Sequence, residues 1–328
     1  MSAIRAIRIA ATGGPEVLKL DQVDLAPPGP GEIRIRHGAI GVNFIDTYHR
    51  TGLYPVPLPG GLGLEAAGIV EAIGDGVTDF KVGDRAAYCT GPVGAYADAA
   101  NVPAGRSVPV PDGVSDAVAA AALLKGLTAE FLIRRTFPVQ PGQSVLFHAA
   151  AGGVGLIALQ WLKHIGATVI GTVGSQDKAD LVRSYGCDHV IQYRTEKVAE
   201  TVRALTGGAG VPVVYDSVGK DTLWSSLDSL AIRGLFVSFG NASGPPDPVS
   251  PLELSKRGSL FMTRPTLFHY VGTTPELRAA ANDLFGLIAD GVIRIEIGAT
   301  FGLSQAGEAH RALEARATTG STILEPGR

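Results

Sequence analysis

At 328 residues the chain is long enough for two domains with full cores, and 45% hydrophobic residues, 18% charged residues and 43 glycines describe a soluble α/β protein with many turns. Its net charge of −3, without a long basic block, argues against nucleic acid or an anionic membrane surface as an obligatory partner. No stretch approaches the ~18 uninterrupted apolar residues of a membrane span, and residues 2–11, where Arg5 and Arg8 interrupt the apolar run, lack the core of a secretory leader. Only Cys89 and Cys187 are present, too far apart to suggest a framework, so both read as reduced, partly buried thiols in a cytoplasmic protein.

The first third is punctuated by Pro27-Pro28-Gly29-Pro30-Gly31, by the prolines and glycines of 55–63, and by Gly74, Gly76 and Gly83. Short apolar stretches at 33–39, 67–73 and 85–88 lie between them, which predicts a compact, barrel-like β domain with few helices. Helix-like segments follow at 116–124 and 128–136. Strand and helix candidates then alternate, with strands at 145–147, 168–173, 189–191, 213–216 and 235–239 and a further candidate at 259–263. Parallel neighbours need crossover connections, so this alternation predicts a doubly wound parallel sheet. The tail breaks the rhythm, with amphipathic helices at 275–290 and 304–317 and strand candidates at 293–299 and 322–324. A tail returning to the first domain and a tail extending the second both fit these elements.

The run Phe147-His148-Ala149-Ala150-Ala151-Gly152-Gly153-Val154-Gly155 joins a strand candidate to a helix candidate. Strand, tight small-residue turn and helix N-terminus in that order hold a pyrophosphate, because backbone N–H groups and the positive helix end both face the anion. The spacing AxGxxG at Ala150, Gly152 and Gly155 is the dinucleotide fingerprint with its first glycine relaxed to alanine. Gly152, Gly153 and Val154 are therefore cofactor-binding candidates. In NAD-selective domains an acidic residue about 20 positions past the glycines bonds the ribose 2′-hydroxyl. Here the second strand ends Thr172-Val173-Gly174-Ser175, with no acid at its tip and Lys178 close by. That end suits a 2′-phosphate and predicts NADPH. Thr128, Ser217, Phe239, Gly240, Asn241 and Ser243 fall at strand ends or helix starts, where open α/β sheets place ligands and where small residues also serve as turns and caps.

The ordered series Gly41-Val42-Asn43-Phe44-Ile45-Asp46, Gly52-Leu53-Tyr54-Pro55, Gly63-Leu64-Glu65-Ala66-Ala67-Gly68, Val82-Gly83-Asp84-Arg85, Lys125-Gly126-Leu127-Thr128, Val214-Tyr215-Asp216-Ser217-Val218-Gly219 and Phe239-Gly240-Asn241, with the fingerprint, resembles the medium-chain dehydrogenase/reductases. Within them it is most similar to the zinc-independent NADPH:quinone oxidoreductases of bacteria. The resemblance implies a Rossmann domain at 125–264 inserted in a GroES-like, mainly β catalytic domain made of 1–124 plus 265–328. It also implies a cleft between the domains and a homodimer formed through the cofactor domain. Gly174, Tyr193 and, from the tail, Arg316 join Lys178 as implied partners of the 2′-phosphate.

A catalytic zinc needs three protein ligands and a structural zinc four, usually clustered thiolates. Two isolated cysteines cannot supply the structural site, and none of the seven histidines has HxxxH or HExxH spacing. In zinc-dependent relatives ligands arise near the positions of Asn43, Leu64 and Lys125, with Glu65 retained. Without a Lewis acid, alcohol oxidation loses its main electrophile. Reduction of a quinone or conjugated carbonyl remains feasible, because the acceptor delocalises the arriving charge itself.

Hydride transfer needs positioning more than a protein nucleophile. Candidates cluster in 43–54: Asn43 near the carboxamide or ribose, and Tyr48 and Tyr54 as hydrogen-bond donors or an aromatic wall for a flat acceptor. Related enoyl-thioester reductases carry an acidic tyrosine at the place of Tyr54, which makes an NADPH-dependent enone or enoyl reductase the alternative. Asp46 reads as a structural hydrogen-bonding residue, and His148 as a turn or core histidine. A non-catalytic NADPH-linked role, RNA-associated or structural as among some relatives, is weakened by the lack of a basic stripe.

Overall fold

The structure is a computed structural model that describes residues 2–327. In chain order β1 (Ser2–Ile9), β2 (Lys19–Leu25) and β3 (Glu32–Val42) lead to helix α1 (Phe44–Thr51). Then come β4 (Gly60–Gly61), β5 (Glu65–Ile73), β6 (Arg85–Tyr88), β7 (Ala99–Pro103) and β8 (Ser107–Pro109), and α2 (Asp116–Glu130). The alternating segment is β9 (Ser144–Phe147), α3 (Gly153–Ile165), β10 (Thr168–Val173), α4 (Gln176–Ser184), β11 (His189–Gln192), α5 (Val198–Leu205), β12 (Val211–Asp216), α6 (Leu223–Ser229) and β13 (Leu230–Ser238). It closes with α7 (Pro251–Lys256), β14 (Phe261–Thr263) and α8 (Leu267–Tyr270), and the tail forms α9 (Thr274–Ala289), β15 (Ile297–Gly302), α10 (Ala306–Glu314) and β16 (Ser321–Glu325).

Two compact units result. The first takes the described residues up to Leu127, with Val271–Gly291 and those from Ile295 onward; the second takes Thr128–Tyr270 and Val292–Arg294. Val292–Arg294 belongs to the second unit although its neighbours on both sides belong to the first, a detail absent from the sequence pattern. Gln160 on α3 fastens it: its amide donates to the Arg294 carbonyl at 3.0 Å and accepts the Arg294 N–H at 2.9 Å.

In the first unit β15-β16-β3-β5-β6-β8 form one sheet, with β7 also on β3, and β2-β1-β4 form another. Buried isoleucines drive the strand pairing, and β3 shows how the pattern survives an irregularity. Ile33 and Ile35 are buried at odd positions, Ile40 and Val42 at even ones. Gly38 is skipped between the His37↔Gly68 and Ala39↔Ala67 pairs. One extra residue in a strand flips the side-chain parity, so both halves of β3 face the same core. The turn-rich first third predicts few helices, yet 44–51 is helical, capped by a left-handed Gly52 at φ 82°.

The second unit is a parallel sheet in the order β11-β10-β9-β12-β13-β14. The chain runs outward from β9 on one side and from β12 on the other, which places the topological switch point between those strands, beside the glycine turn. The two helix-like stretches at 116–124 and 128–136 form one helix, α2, continued by a π-helical turn at Phe131–Thr136.

Candidate functional site

In the second unit the turn from β9 to α3 has the geometry that an anion needs. Ala149 sits at φ 52°, in the left-handed region that alanine rarely adopts. Gly152 caps α3 with no side-chain hydrogen bond, and the first N–H to close onto the chain is Leu156, on the Gly152 carbonyl at 2.9 Å. The N–H groups of Gly153, Val154 and Gly155 precede that bond and face out of the helix end. A Cβ on Gly155 would lie 2.5 Å from the Ala150 carbonyl oxygen and 2.6 Å from that of Ala149, so this glycine lets helix and turn touch. Ala150 is tolerated in place of the first glycine because Gly171 on β10 faces it; a Cβ there would come within 2.9 Å of the Ala150 methyl. Backbone donors, the helix end and a cradle that side chains would fill fit the pyrophosphate of a dinucleotide.

His148, fully buried, underpins this turn. Ser226 Oγ donates to Asp216 Oδ2 at 2.7 Å, so it accepts from His148 Nε2 at 3.0 Å, which leaves His148 Nδ1 to accept from Thr172 Oγ1 at 3.0 Å. Burial lowers the His148 pKa, in keeping with a neutral ring. The tips of β9, β10 and β12 are thereby tied together. Thr172, Asp216 and Ser226 carry no sequence signal for this, since their partners are distant in the chain.

At the far end of β10, Tyr193 N–H bonds the Val173 carbonyl at 3.1 Å, and a Cβ on Gly174 would lie 2.6 Å from the Tyr193 hydroxyl. Lys178 is half-buried in the first turn of α4, while Asp177 beside it is exposed. Gly174 and Tyr193 are thus neighbours at one acid-free strand tip, with Lys178 following in the first turn of α4; Arg316, exposed after α10 with φ 56°, belongs to the first unit.

Ser217, Phe239, Gly240, Asn241 and Ser243 follow the ends of β12 and β13. A Cβ on Gly240 would meet the Ser217 carbonyl oxygen at 2.5 Å, which keeps the two loops in contact. Phe239 packs on Phe147 with ring centroids 5.8 Å apart. Ser243 Oγ accepts from Asp221 N at 3.0 Å and donates to the Val218 carbonyl at 2.9 Å, so its hydroxyl acts as a loop cap. Asn241 lies in the same loop and Thr128 is half-buried on α2.

The first unit carries the other candidates on and around α1. Asn43 is buried just before the helix, and its Nδ2 donates to Glu65 Oε2 at 2.8 Å. Lys125 Nζ lies 3.3 Å from that same oxygen, and Leu124 N–H donates to Oε1 at 2.6 Å. The Glu65 carboxylate is fully buried and is held by an amide, an ammonium and a backbone N–H. Among the described residues no group of three or more His, Cys, Asp or Glu is placed to hold a metal ion. Tyr48 and Tyr54 meet edge to face at 5.2 Å, with Phe44 6.3 Å from Tyr48, which forms an aromatic corner.

Asp46, fully buried, accepts the Asn43 N–H at 2.8 Å and the Tyr96 hydroxyl at 2.9 Å, both on Oδ2. Oδ1 has no partner. Burial pushes its pKa up to about 7, against the Asn43 N–H, the Tyr96 hydroxyl and the charge of Lys125 and in line with the charge of Glu65. Its structural role matches the expectation from sequence; its partner Tyr96 carries no motif by which it could be recognised.

The chain matches the family model of zinc-binding dehydrogenases over residues 153–286 and that of the alcohol dehydrogenase GroES-like domain over 29–112. It is 56% identical to a quinone oxidoreductase of Pseudomonas aeruginosa, over 98% of this chain and 99% of that protein. Identity to a 2-haloacrylate reductase of a Burkholderia species is 46%, over 98% and 99% of the two chains. Among solved structures, Escherichia coli quinone oxidoreductase complexed with NADPH superposes with a TM-score of 0.97 at 49% identity, covering 98% of this chain and 100% of that one.

Proposed function

The chain belongs to the quinone oxidoreductases of the medium-chain dehydrogenase/reductase superfamily, and on that footing we propose that it reduces quinones with NADPH and without zinc. The observation that carries the reading is the acid-free tip of β10, where Gly174 adjoins Tyr193 and Lys178 follows in the first turn of α4, in a chain alike over nearly its whole length to quinone oxidoreductases. The N–H groups of Gly153 to Gly155 hold the pyrophosphate, with Gly152 leaving room for its approach, and Lys178 and the Tyr193 hydroxyl receive the 2′-phosphate. Thr128, Ser217, Phe239, Gly240 and Asn241 border the rest of the cofactor in the second unit, and Asn43 and Arg316 are the cofactor candidates of the first. The cofactor supplies a hydride from nicotinamide C4. The aromatic corner of Tyr48 and Tyr54 orients a flat acceptor and screens it from water, and its hydroxyls bond the acceptor oxygen. A quinone that has received a hydride needs one further proton, which solvent provides at an exposed oxygen.

Zinc independence is supported by the donor set. Of the positions that carry ligands in zinc-dependent relatives, Leu64 has no donor atom, and the Lys125 ammonium and Asn43 amide are already directed at Glu65. An ammonium has no lone pair to offer a metal. A homodimer through the second unit is supported by the edge strand β14, where Phe261 is 59% and Met262 39% exposed, with Ile232 of the adjoining β13 at 77%. An uncovered apolar edge is a pairing surface. No described helix is long and apolar enough to cross a membrane, and the two cysteines are unpaired, as suits the cytoplasm.

The likeness to 2-haloacrylate reductase favours one second reading, reduction of a conjugated carbonyl with the Tyr54 hydroxyl as proton donor at the α-carbon. NADPH oxidation by the purified protein, in EDTA, against a benzoquinone, a naphthoquinone, a 2-alkenal and a 2-enoyl thioester decides between them. Preference for the quinones is expected. Preference for the alkenal or thioester, abolished in Tyr54→Phe, would establish the second reading.

A further inference from the structure

Four side chains outside the candidate set, joined by three contacts and closed through the backbone of α1 itself, form a ring on one face of that helix. Asp46 and Arg50 are four residues apart and share that face. Arg50 Nη1 lies 3.1 Å from His310 Nδ1, His310 Nε2 lies 3.0 Å from the Tyr96 hydroxyl, and that hydroxyl lies 2.9 Å from Asp46 Oδ2. The members are buried, with Tyr96, His310 and Asp46 at 0% exposure and Arg50 at 1%.

Donor chemistry fixes the direction of every bond. A guanidinium only donates, so His310 accepts at Nδ1 and carries its proton at Nε2. That N–H points to the Tyr96 oxygen, which leaves the Tyr96 proton for Asp46. Burial and the Arg50 charge press the His310 pKa down to about 3, in keeping with the neutral ring that this direction requires. The Arg50 end is anchored by Glu314 on α10, at 2.6 and 3.0 Å, and by the Gly13 carbonyl at 3.1 Å. Tyr48 lies two residues beyond Asp46, roughly 200° around the helix axis, and so on the opposite face.

We propose that Tyr96 and His310 are positioning residues that fix the rotation of α1 and thereby hold the Tyr48–Tyr54 corner in place for the acceptor. A short helix of eight residues has little stability of its own, and its orientation is set by what grips it. The ring grips one face, and the aromatic corner hangs from the other: Tyr54 N–H bonds the Tyr48 carbonyl at 3.1 Å, so the two tyrosines move as one piece. The kinetic part of this inference rests on the quinone reading; the structural part does not.

The test compares Tyr96→Phe, His310→Leu and His310→Gln with the wild-type enzyme. Glutamine offers one acceptor and one donor in a single amide, leucine neither. Breaking a buried hydrogen-bonded pair makes local opening about tenfold easier, so amide exchange over 44–54 is expected to quicken about tenfold in Tyr96→Phe and His310→Leu. The KM for the quinone should rise by about the same factor while the dissociation constant for NADPH stays within about twofold, and His310→Gln should recover most of both losses. Unchanged exchange over 44–54 in folded variants overturns the ring as a clamp. Quickened exchange with an unchanged quinone KM overturns the positioning role. A wild-type enzyme that reduces no quinone removes the functional reading instead, and the exchange measurement still decides the clamp.

Discussion

Substituting each of the two fingerprint glycines by alanine separates the two jobs that the motif combines. Gly155 is buried, and its added Cβ would sit 2.5–2.7 Å from backbone atoms of Ala149 and Ala150, which cannot swing aside as a flexible side chain could. Overpacking of this kind costs ~1–3 kcal/mol. At ~2–4 °C per kcal/mol for a unit of this size, Gly155→Ala should lower the melting temperature of the cofactor-free protein by roughly 2–12 °C. Gly152 differs. Its φ of −80° suits alanine, and the nearest atom to an added Cβ is the Ala149 carbonyl oxygen at 3.3 Å. Gly152→Ala should leave the cofactor-free melting temperature within about 2 °C of wild type, as for other unstrained surface changes. Its methyl, however, stands at the mouth of the helix end where a pyrophosphate approaches, so NADPH should bind at least about tenfold more weakly. Differential scanning calorimetry without cofactor and fluorescence titration with NADPH read the two effects separately. Wild-type stability in Gly155→Ala, or wild-type NADPH affinity in Gly152→Ala, would refute the assignment of helix–turn contact to the one and ligand approach to the other.

With Lys178 placed at the 2′-phosphate as proposed, Lys178→Ala should weaken NADPH by about tenfold or more and NADH by less than about twofold; equal weakening in a titration series removes it from that site. Prolonged dialysis against a chelator should leave quinone turnover unchanged, and loss of activity restored by zinc would contradict the reading of Asn43, Leu64 and Lys125. Asp46 has a folded pKa of about 7, above the ~3.9 of an unfolded aspartate. The native state therefore favours the protonated acid, and its contribution to stability is full below about pH 4 and lost as pH rises through about 7. Between pH 5 and 8 the melting temperature of Asp46→Asn should fall less than that of wild type; parallel curves would show that Asp46 ionises freely in the fold.

The cofactor half of the molecule was legible because its signals are local. A strand, three small-residue positions and a helix follow one another within the fingerprint, and Gly174 and Lys178, proposed for the phosphate end, lie on one short stretch. Even the exception is explained at short range in space: Ala150 replaces glycine because Gly171 on the neighbouring strand gives up its own side chain. The substrate half was less legible. Helix α1 is hard to foresee because it is only eight residues long, of near-neutral mean hydropathy, and is followed at once by Pro55, Pro57 and Pro59, although its residues are amphipathic. What holds that helix comes from Tyr96 and His310, 50 and 264 positions from Asp46 and 214 from each other. Side chains that meet across such separations leave no spacing to find.

Glu65 shows what a fully buried carboxylate demands of the scaffold around it. A fully buried carboxylate must have a cation or several donors, or it loses its charge. Here the ammonium of Lys125 and the amide of Asn43 converge on Glu65 Oε2, and Leu124 N–H satisfies Oε1. Gly41 makes this possible, because a Cβ there would fall 2.2 Å from that same Oε2. The cation is therefore one that cannot accept a ligand oxygen's lone pair as a metal does. On the zinc-free reading proposed above, a substrate must bring its own means of delocalising charge, which a quinone does and a simple alcohol does not. Lys125→Met would leave Glu65 buried without its cation, so the variant should lose several kcal/mol, about 3–5, of stability, and the double variant Lys125→Met with Glu65→Gln should regain much of it. Chemical denaturation of the two variants measures the difference, and equal stability of the single and double variants would mean that the pair is not coupled.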